Sequence, residues 1–575
     1  MAAFLQSLRQ YALLLPRYTI MACTWILFNT MAWAWWLFNN RRWGPVPQIR
    51  DPLLLKSATQ LARMVRSREM TSSEIVNRFI ARIEEVNPHI QAIVYTMYDA
   101  ARATARDVDR VIAEGLAESD EYCVERRPLL GVPFTVKEAF ELNGMPNSSG
   151  LVARRSVCSN RSAPCVRHLI DAGAIPVAGT NCSELCMWFE TSNRLYGRTC
   201  NPYDVRRIVG GSSGGEAAIV AAGGSPFGVA ADVGGSIRMP AFFNGVFGHK
   251  ASPGLVSNLG QWPAARENTV GRRLLASGPI CHHAEDLPLL VHVMSRQWKY
   301  CDDDDNQLVN DETCCYDDHK IYYSGEADDQ ASAPININLT KDTVLSHLTV
   351  VSVEDDCGYW LTSSVDPNLK AAQLRLCDHL ETVGARVRHV TFHRFKYAIP
   401  MWLEAMKDMH GPLFATLMGH DKGTINPFWE FLKWILQLSD HTLPAIGLAL
   451  LEKLERMQPS RVAEKARQHL KRLRTELLAL LDDHSVLLYP SHPLVAPRHN
   501  EPLFTPMNYA YTAVFNALGF PVTQCPLGLT KEGLPLGVQV VAAPARDHLT
   551  LAVAQEIERK FGGWHPPGHG LVDIN

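Results

Sequence analysis

Hydrophobic residues are spread unevenly along this chain, and the first cluster is the densest. Thr19 to Phe38 is almost uniformly apolar, about the 20 residues that cross a bilayer. Trp25, Trp33, Trp35 and Trp36 lie within it, with Arg17 before and Arg41 and Arg42 after, the flanks of a membrane-anchored segment. Residues 1–46 are therefore read as an N-terminal membrane anchor and linker. A cleaved signal peptide fits less well, because its apolar region is about 7–15 residues and ends at a small-residue site that is missing here. Pro16 separates two apolar pieces, so a single-pass helix and a monotopic hairpin of the lipid-droplet type both fit, and Asn29 at mid-span argues against a helix facing lipid all round. The extra arginine after the span weakly places the rest of the chain on the cytosolic side.

Beyond Pro47 the pattern changes to alternating helical and strand-like periods. Leucine, isoleucine and valine recur at helical spacing from Leu53 to Val86. Val132 to Lys137 is a β-branched and aromatic run that predicts a buried strand, and Pro226 to Asp232 predicts another. The Ala-rich stretch from Glu216 to Ala222 predicts a helix. This α/β pattern holds to about Met294. Residues 301–333, opening with Asp302 to Asp305, are acidic and aperiodic and read as a solvated surface insertion. Val350 to Val390 resumes the α/β pattern, Tyr397 to Glu452 is a long apolar helical region, and Ser485 to Phe561 supplies closing strands and a last helix. Trp402, Met406, Phe414, Leu417, Phe428, Trp429, Phe431 and Trp434 in the helical region are read as acyl-pocket lining or a membrane-docking face, against the plainer reading of helix core.

Composition narrows the class. With 575 residues, 46% hydrophobic and 20% charged, the chain can bury a large core and lacks the bias of a disordered protein. A net charge of −3 argues against nucleic acid as a partner. The 14 cysteines are scattered, and neither Cys182 with Cys186 nor Cys314 with Cys315 has the companions of a zinc site. They read as free thiols in a reducing compartment, with no metal and no cofactor implied. Leu185 and Met187 beside Cys186 suggest an ordinary buried thiol.

The chemistry concentrates in two runs of small residues. Gly210-Gly211-Ser212-Ser213-Gly214-Gly215 and Asp232-Val233-Gly234-Gly235-Ser236-Ile237-Arg238 stand close together, and Lys137 precedes both. A serine hydroxyl attacks an acyl carbon only with a base in reach and donors aimed at the developing oxyanion. Gly234 and Gly235 let consecutive backbone N–H groups converge beside Ser236. Lys137 ends a strand-like run; its plain reading is a strand-end lysine reaching water, but burial disfavours an ammonium and would make it a usable base. Gly210 to Gly214 also fits the G-x-S-x-G elbow of α/β-hydrolases, with Ser212 as nucleophile of an esterase and His492 as the best late histidine. That reading leaves Ser236 and Lys137 without a role. Neither glycine run has the spacing of a nucleotide-binding loop.

In order and spacing, Val136-Lys137-Glu138, the GGSSGG run and the Asp232 to Arg238 run resemble the amidase signature family of serine hydrolases. Lys137 precedes Ser212 by 75 residues and Ser212 precedes Ser236 by 24, intervals similar to those of its fatty-acid amide hydrolase members. The resemblance extends through Thr180 to Trp188, Met239 to Gly245, Asn516 to Thr523 and Gly533 to Gly537. It implies a mixed central sheet sandwiched by helices, occupying residues 47–575 as an amidase catalytic domain. It makes Ser236 the nucleophile, Ser212 a relay serine on a cis peptide bond, and Lys137 the base. The N–H groups of Val233, Gly234, Gly235 and Ser236 would form the oxyanion hole. Ser213, Asp232 and Arg238 would hold the loops, with a structural ion pair the plainer reading for the last two. The implied substrate is a lipid amide, a primary fatty amide or an N-acyl amine, with esters admitted; the implied setting is a membrane or lipid-droplet surface, the endoplasmic reticulum included, and a homodimer is admitted. A catalytically silent membrane scaffold would commonly have lost a member of the triad. An amidotransferase-type enzyme acting on small polar amides would be expected to lack the hydrophobic anchor.

Overall fold

The computed structural model describes residues 44–264, 273–295, 338–339, 341–407, 412–455 and 460–568. The expected anchor over Thr19 to Phe38 and the acidic insertion over 301–333 lie outside these residues. Among the described residues no helix is long and apolar enough to cross a membrane.

Among the described residues the strand-forming runs assemble into one 11-stranded mixed sheet and a small hairpin. The strands are β1 (Ile93–Thr96), β2 (Pro133–Lys137), β3 (Ile175–Thr180), β4 (Ser192–Asn193), β5 (Gly197–Arg198), β6 (Phe227–Asp232), β7 (Phe247–Lys250), β8 (Ala276–Cys281), β9 (Thr349–Ser352), β10 (Arg386–His389), β11 (Ser485–Tyr489), β12 (Val522–Leu529) and β13 (Pro535–Val541). The large sheet runs β1-β3-β2-β6-β8-β7-β12-β13-β11-β9-β10, and β4 pairs with β5. Every residue of β2, β6, β7, β8, β11 and β13 is buried. Successive side chains point to opposite faces, so both faces of the central strands are covered. The edges are wetter: β10 carries Arg386, Arg388 and His389 and is mostly exposed, the charged rim that discourages further strand pairing.

The helices follow local signals. Ser72–Ile90 opens on a capping box, Thr71 accepting from the Glu74 N–H and Glu74 from that of Thr71, each at 3.1 Å. Its Ile75, Val76, Phe79, Ile80 and Ile83 form the buried stripe, as the periodicity from Leu53 to Val86 predicts. Gly214–Ala221 is buried on all sides, so small residues rather than amphipathic ones suit it. The closing helix Asp547–Phe561 lies against β12 and seals the late half of the sheet.

Candidate active site

Parallel pairing of β2 with β6 decides where the chemistry sits. Thr135 lies opposite Gly228 and Val136 opposite Val229, so Lys137 at the end of one strand and Asp232 at the end of the other leave the same edge of the sheet. Lys137 does not reach water: it is 1% exposed, correcting the strand-end alternative. Its Nζ donates to Ser212 Oγ at 2.8 Å. The Gly211–Ser212 peptide bond is cis. A Cβ on Gly211 would fall 2.4 Å from the Trp188 carbonyl oxygen, which leaves glycine the residue that fits there.

The two small-residue turns are tied directly to each other. The Ser213 N–H donates to the Ser236 carbonyl at 3.3 Å, and the Ser213 hydroxyl to the Ala231 carbonyl at 3.3 Å. Ser212 is 1% and Ser236 7% exposed, so both hydroxyls are held in a nearly dry cleft.

The second turn is built around Asp232. Its carboxylate accepts from the N–H groups of Gly235 at 2.6 Å and Ile237 at 3.2 Å, and from Arg238 Nε at 2.9 Å and Nη2 at 3.0 Å. Asp232 and Arg238 are both fully buried. Burial alone would raise the Asp232 carboxyl, but the Arg238 charge and hydrogen bonds, with Lys250 and Asn516, hold it well below the usual carboxylate range. Arg238 also donates to the Thr512 carbonyl at 3.0 Å and to Gln539 Oε1 at 2.7 Å. The plainer reading of Asp232 and Arg238 as a structural pair thus describes their geometry. Of the four N–H groups expected at the oxyanion hole, Gly235's is directed to Asp232. Gly235 has φ +124°, and a Cβ there would meet Thr512 Oγ1 at 2.1 Å, so its lack of a side chain lets the turn close on the late helix Ala510–Leu518.

Residues far away in sequence complete this support. Thr512 Oγ1 donates to the Gly234 carbonyl at 2.7 Å, and Asn516 Nδ2 to the Asp232 carbonyl at 3.0 Å. Trp402 Nε1 donates to the Val233 carbonyl at 2.8 Å, with its indole against Gly234. Nothing local marks Thr512 or Gln539 as partners of a turn nearly three hundred residues away; Trp402 stood out only as one aromatic on an apolar helix.

A profile of the family described as Amidase matches residues 74–551. The chain is 46% identical over 534 residues, 90% of this chain and 92% of the relative, to fatty-acid amide hydrolase 2 of Homo sapiens. It is 45% identical over 559 residues, 96% of this chain and 97% of the relative, to fatty-acid amide hydrolase 2-A of Danio rerio. The chain belongs to the amidase family. It is a hydrolase of amide bonds. A solved structure of fatty acid amide hydrolase shares the fold, with a TM-score of 0.66 at 20% identity over 89% of this chain and 86% of that one.

Other parts of this amidase depart from the sequence expectation. Cys186, read as an ordinary buried thiol, is a free cysteine whose residue as a whole is partly exposed. It ends the short 3-10 segment Glu184–Cys186, in which Leu185 and Cys186 have φ +55° and +58°. His492 is fully buried between Phe189 and Phe243, and its Nδ1 meets the Leu494 carbonyl at 2.8 Å. Burial pushes its imidazole down to about 4. It is a core histidine, which removes the support for the elbow reading of Ser212.

Glu216, in the helix after the Ser212 turn, accepts from Thr135 Oγ1 at 2.6 Å and Thr180 Oγ1 at 2.9 Å. Complete burial raises its carboxyl to about 8 against the opposing pull of those hydroxyls and of Lys137. It clamps β2, β3 and the helix Gly214–Ala221 to one another beneath the site.

The Trp- and Met-bearing region divides in two. Helix Ala398–Lys407 places Trp402 in a small core with Leu274, Ala513 and Ala517. Helices Phe414–Gly419 and Leu443–Glu455 enclose Leu185 of the turn before Cys186, with Ala415, Met418, Ala445 and Ile446. Helix Pro427–Ile435 is turned the other way: Glu430 is buried, paired with Lys433 at 2.7 Å and Ser439 at 2.8 Å. Phe428, Trp429, Phe431 and Leu432 are exposed, and so are Leu436 and Leu438 beyond it.

Proposed function

We propose that this amidase hydrolyses fatty-acid amides, releasing fatty acid and amine, at a membrane surface. The observation that carries the substrate class is the 46% identity, across nine-tenths of both chains, to a fatty-acid amide hydrolase.

In this reading Ser236 is the nucleophile. Unprotonated Lys137 takes the Ser236 proton through Ser212 as Ser236 Oγ attacks the acyl carbon. The hydrogen bond from Lys137 to Ser212 supports that path. The N–H groups of Val233, Gly234 and Ser236 receive the oxyanion, with Gly235 keeping the turn closed on Asp232. Each such donor is worth about 2.7–4 kcal/mol in the transition state. The same relay then returns the proton to the leaving amine, which an amide needs because an amine anion is a poor leaving group, and water releases the acyl group from Ser236.

Two features support the membrane setting: the apolar segment Thr19 to Phe38, and the inverted helix Pro427–Ile435 with its outward Phe428, Trp429 and Phe431. Exposed large apolar side chains gathered on one short helix are the kind of surface that interaction sites use. Glu184, two residues before Cys186, accepts from His441 Nδ1 at 2.7 Å and the Thr442 N–H at 2.8 Å, so the helices bearing this face are fastened next to Lys137 and Ser212. In this reading a lipid amide is delivered from the membrane through that face.

The test is fluorophosphonate labelling of the detergent-solubilised protein and of Ser236→Ala, with competition by oleamide and by a short polar amide. The reading expects labelling of wild type alone, blocked by oleamide and not by the polar amide. Labelling that persists in Ser236→Ala would return the nucleophile to Ser212, and protection by the polar amide alone would move the substrate to small amides.

A further inference from the structure

The peptide units between Asp232 and Ser236 are each held by the carbonyl. That of Asp232 accepts from Asn516 Nδ2 at 3.0 Å, that of Val233 from Trp402 Nε1 at 2.8 Å, that of Gly234 from Thr512 Oγ1 at 2.7 Å, and that of Gly235 from the Met239 N–H at 2.8 Å. The N–H groups of the same units are treated differently. Gly235's donates to Asp232, whereas among the described residues those of Val233, Gly234 and Ser236 have no hydrogen-bond partner. Gly234 and Ser236 are buried, and buried backbone N–H groups are nearly always paired. Open donors on such a turn mark a place kept for an acceptor.

In a trans peptide unit the C=O and N–H share one plane and point in opposite directions. The Val233–Gly234 bond is trans, the cis bonds being Gly211–Ser212 and Trp262–Pro263. A donor on the Val233 carbonyl therefore sets the heading of the Gly234 N–H. The glycines that admit the turn do not stiffen it, since glycine has the widest backbone freedom; stiffness must come from outside. Asn516 also holds the Asp232 carboxylate and Arg238, and Thr512 serves a unit whose N–H is already taken by Asp232. Trp402 serves the unit that carries Gly234's open N–H. Its ring is packed with Leu274, Ala513 and Ala517 and lies edge-on to Tyr509 at 5.2 Å between centroids, so the donor is itself fixed.

We infer that Trp402 is a positioning residue of the oxyanion hole: its indole N–H holds the Val233 carbonyl and thereby aims the Gly234 N–H, in the same peptide unit, at the acyl oxygen. The inference rests on the reading of Ser236 as nucleophile with these N–H groups as its oxyanion donors. Trp402 touches neither substrate nor Ser236 in this role. It keeps one donor in place before the reaction begins, so that no reorientation is needed as charge develops.

The experiment compares the detergent-solubilised full chain with Trp402→Phe, which keeps a ring and loses the N–H, on oleamide and on p-nitrophenyl butyrate. Both substrates pass through a tetrahedral oxyanion, so kcat falls on both by a similar factor, about tenfold to a hundredfold, short of the roughly 10²–10³ that follows outright loss of a donor. KM changes by less than about threefold, because the ground-state carbonyl depends on the donor less than the oxyanion does. A trifluoromethyl ketone bearing the oleyl chain, whose adduct with Ser236 carries the oxyanion, loses affinity by the same factor as kcat, with Tm unchanged. If Trp402→Phe does not fold, benzothienylalanine introduced at residue 402 keeps the bicyclic shape, replaces the N–H by sulfur and gives the same losses. Unchanged kcat and ketone affinity overturn the inference. So does a loss confined to oleamide, which would place Trp402 with proton transfer, or a rise in KM alone, which would make it a wall of the substrate pocket. If oleamide is not cleaved, the substrate reading fails and the ester still decides the role of Trp402. Hydrolysis retained by Ser236→Ala would refute the nucleophile and this inference together.

Discussion

At the scale of single residues, the site packs three ionisable side chains into one dry volume: Lys137 on Ser212, Asp232 held low by Arg238, and Glu216, whose carboxyl burial raises to about 8. If Lys137 moves protons between Ser236 and the leaving amine, Lys137→Ala reduces oleamide hydrolysis by about 10²–10⁴-fold, the range of general acid–base catalysis. It reduces cleavage of an activated ester much less, because that leaving group needs no proton; parallel kcat/KM measurements on the two substrates check this, and equal losses would remove Lys137 from the protonation step. Glu216 makes a pH prediction. Its folded value of about 8 lies above the value of about 4.3 for an unfolded glutamate. Between these the folded chain holds a proton that the unfolded chain has released. The contribution is fully present below the unfolded value and lost as pH rises through the folded one, with a slope approaching about 1.4 kcal/mol per pH unit for one proton. Glu216→Gln removes that slope, so thermal unfolding from pH 5 to pH 9 shows a smaller decline in Tm than wild type. That Lys137, Ser212 and the turn of Ser236 come together was legible in the sequence, because those residue types in that order and spacing have few other uses together. The allotment of donors was not: that Gly235 turns its N–H to Asp232 depends on an arginine held by Thr512 and Gln539, and no spacing along the chain conveys it.

At the scale of elements, the strands under the site follow from composition, and their pairing does not. Val132 to Lys137 and Pro226 to Asp232 read as buried strands and become β2 and β6. Their parallel adjacency, which sends Lys137 and Asp232 out of one edge, arises from crossovers through the whole of the intervening chain. The helical region was ambiguous for a related reason. Helical spacing of aromatics fits a core and a surface alike, and only packing shows that Trp402 faces inward while Phe428 and Trp429 face out. If the outward side of helix Pro427–Ile435 rests on lipid, Trp429→Ser combined with Leu436→Ser weakens co-sedimentation with phosphatidylcholine vesicles several-fold in a chain lacking residues 1–43. The rate on a water-soluble ester stays unchanged, since neither side chain approaches Ser236's turn. Unaltered sedimentation would leave that face without a lipid role.

For the molecule as a whole, the alternation of helical and strand periods after Pro47 was enough to anticipate an α/β body, because a sheet buried on both faces needs nearly continuous apolar strands. The number of strands and their order lay beyond reach, since β7 pairs with β12, Lys250 opposite Val522, and β9 with β11, Thr349 opposite Ser485, across long stretches of chain. If Thr19 to Phe38 anchors the enzyme, deletion through Trp43 shifts it from the membrane pellet toward the soluble fraction at moderate salt. The remainder still held by the pellet measures the outward helix. Complete retention would assign the attachment to the body of the protein.

Arg238 reaches the last eighth of the polypeptide, through Thr512, Asn516 and Gln539. A product that stops short of Thr512, from a premature stop codon or a mis-spliced transcript, would therefore carry Lys137, Ser212 and Ser236 intact and be inert. Inspection of a gene for its three hydroxyl and amine side chains would count such an allele as sound. Conversely, two separately expressed pieces divided within residues 301–333 would each be silent and recover turnover only on reassociation, so activity would report that the late strands had found their place.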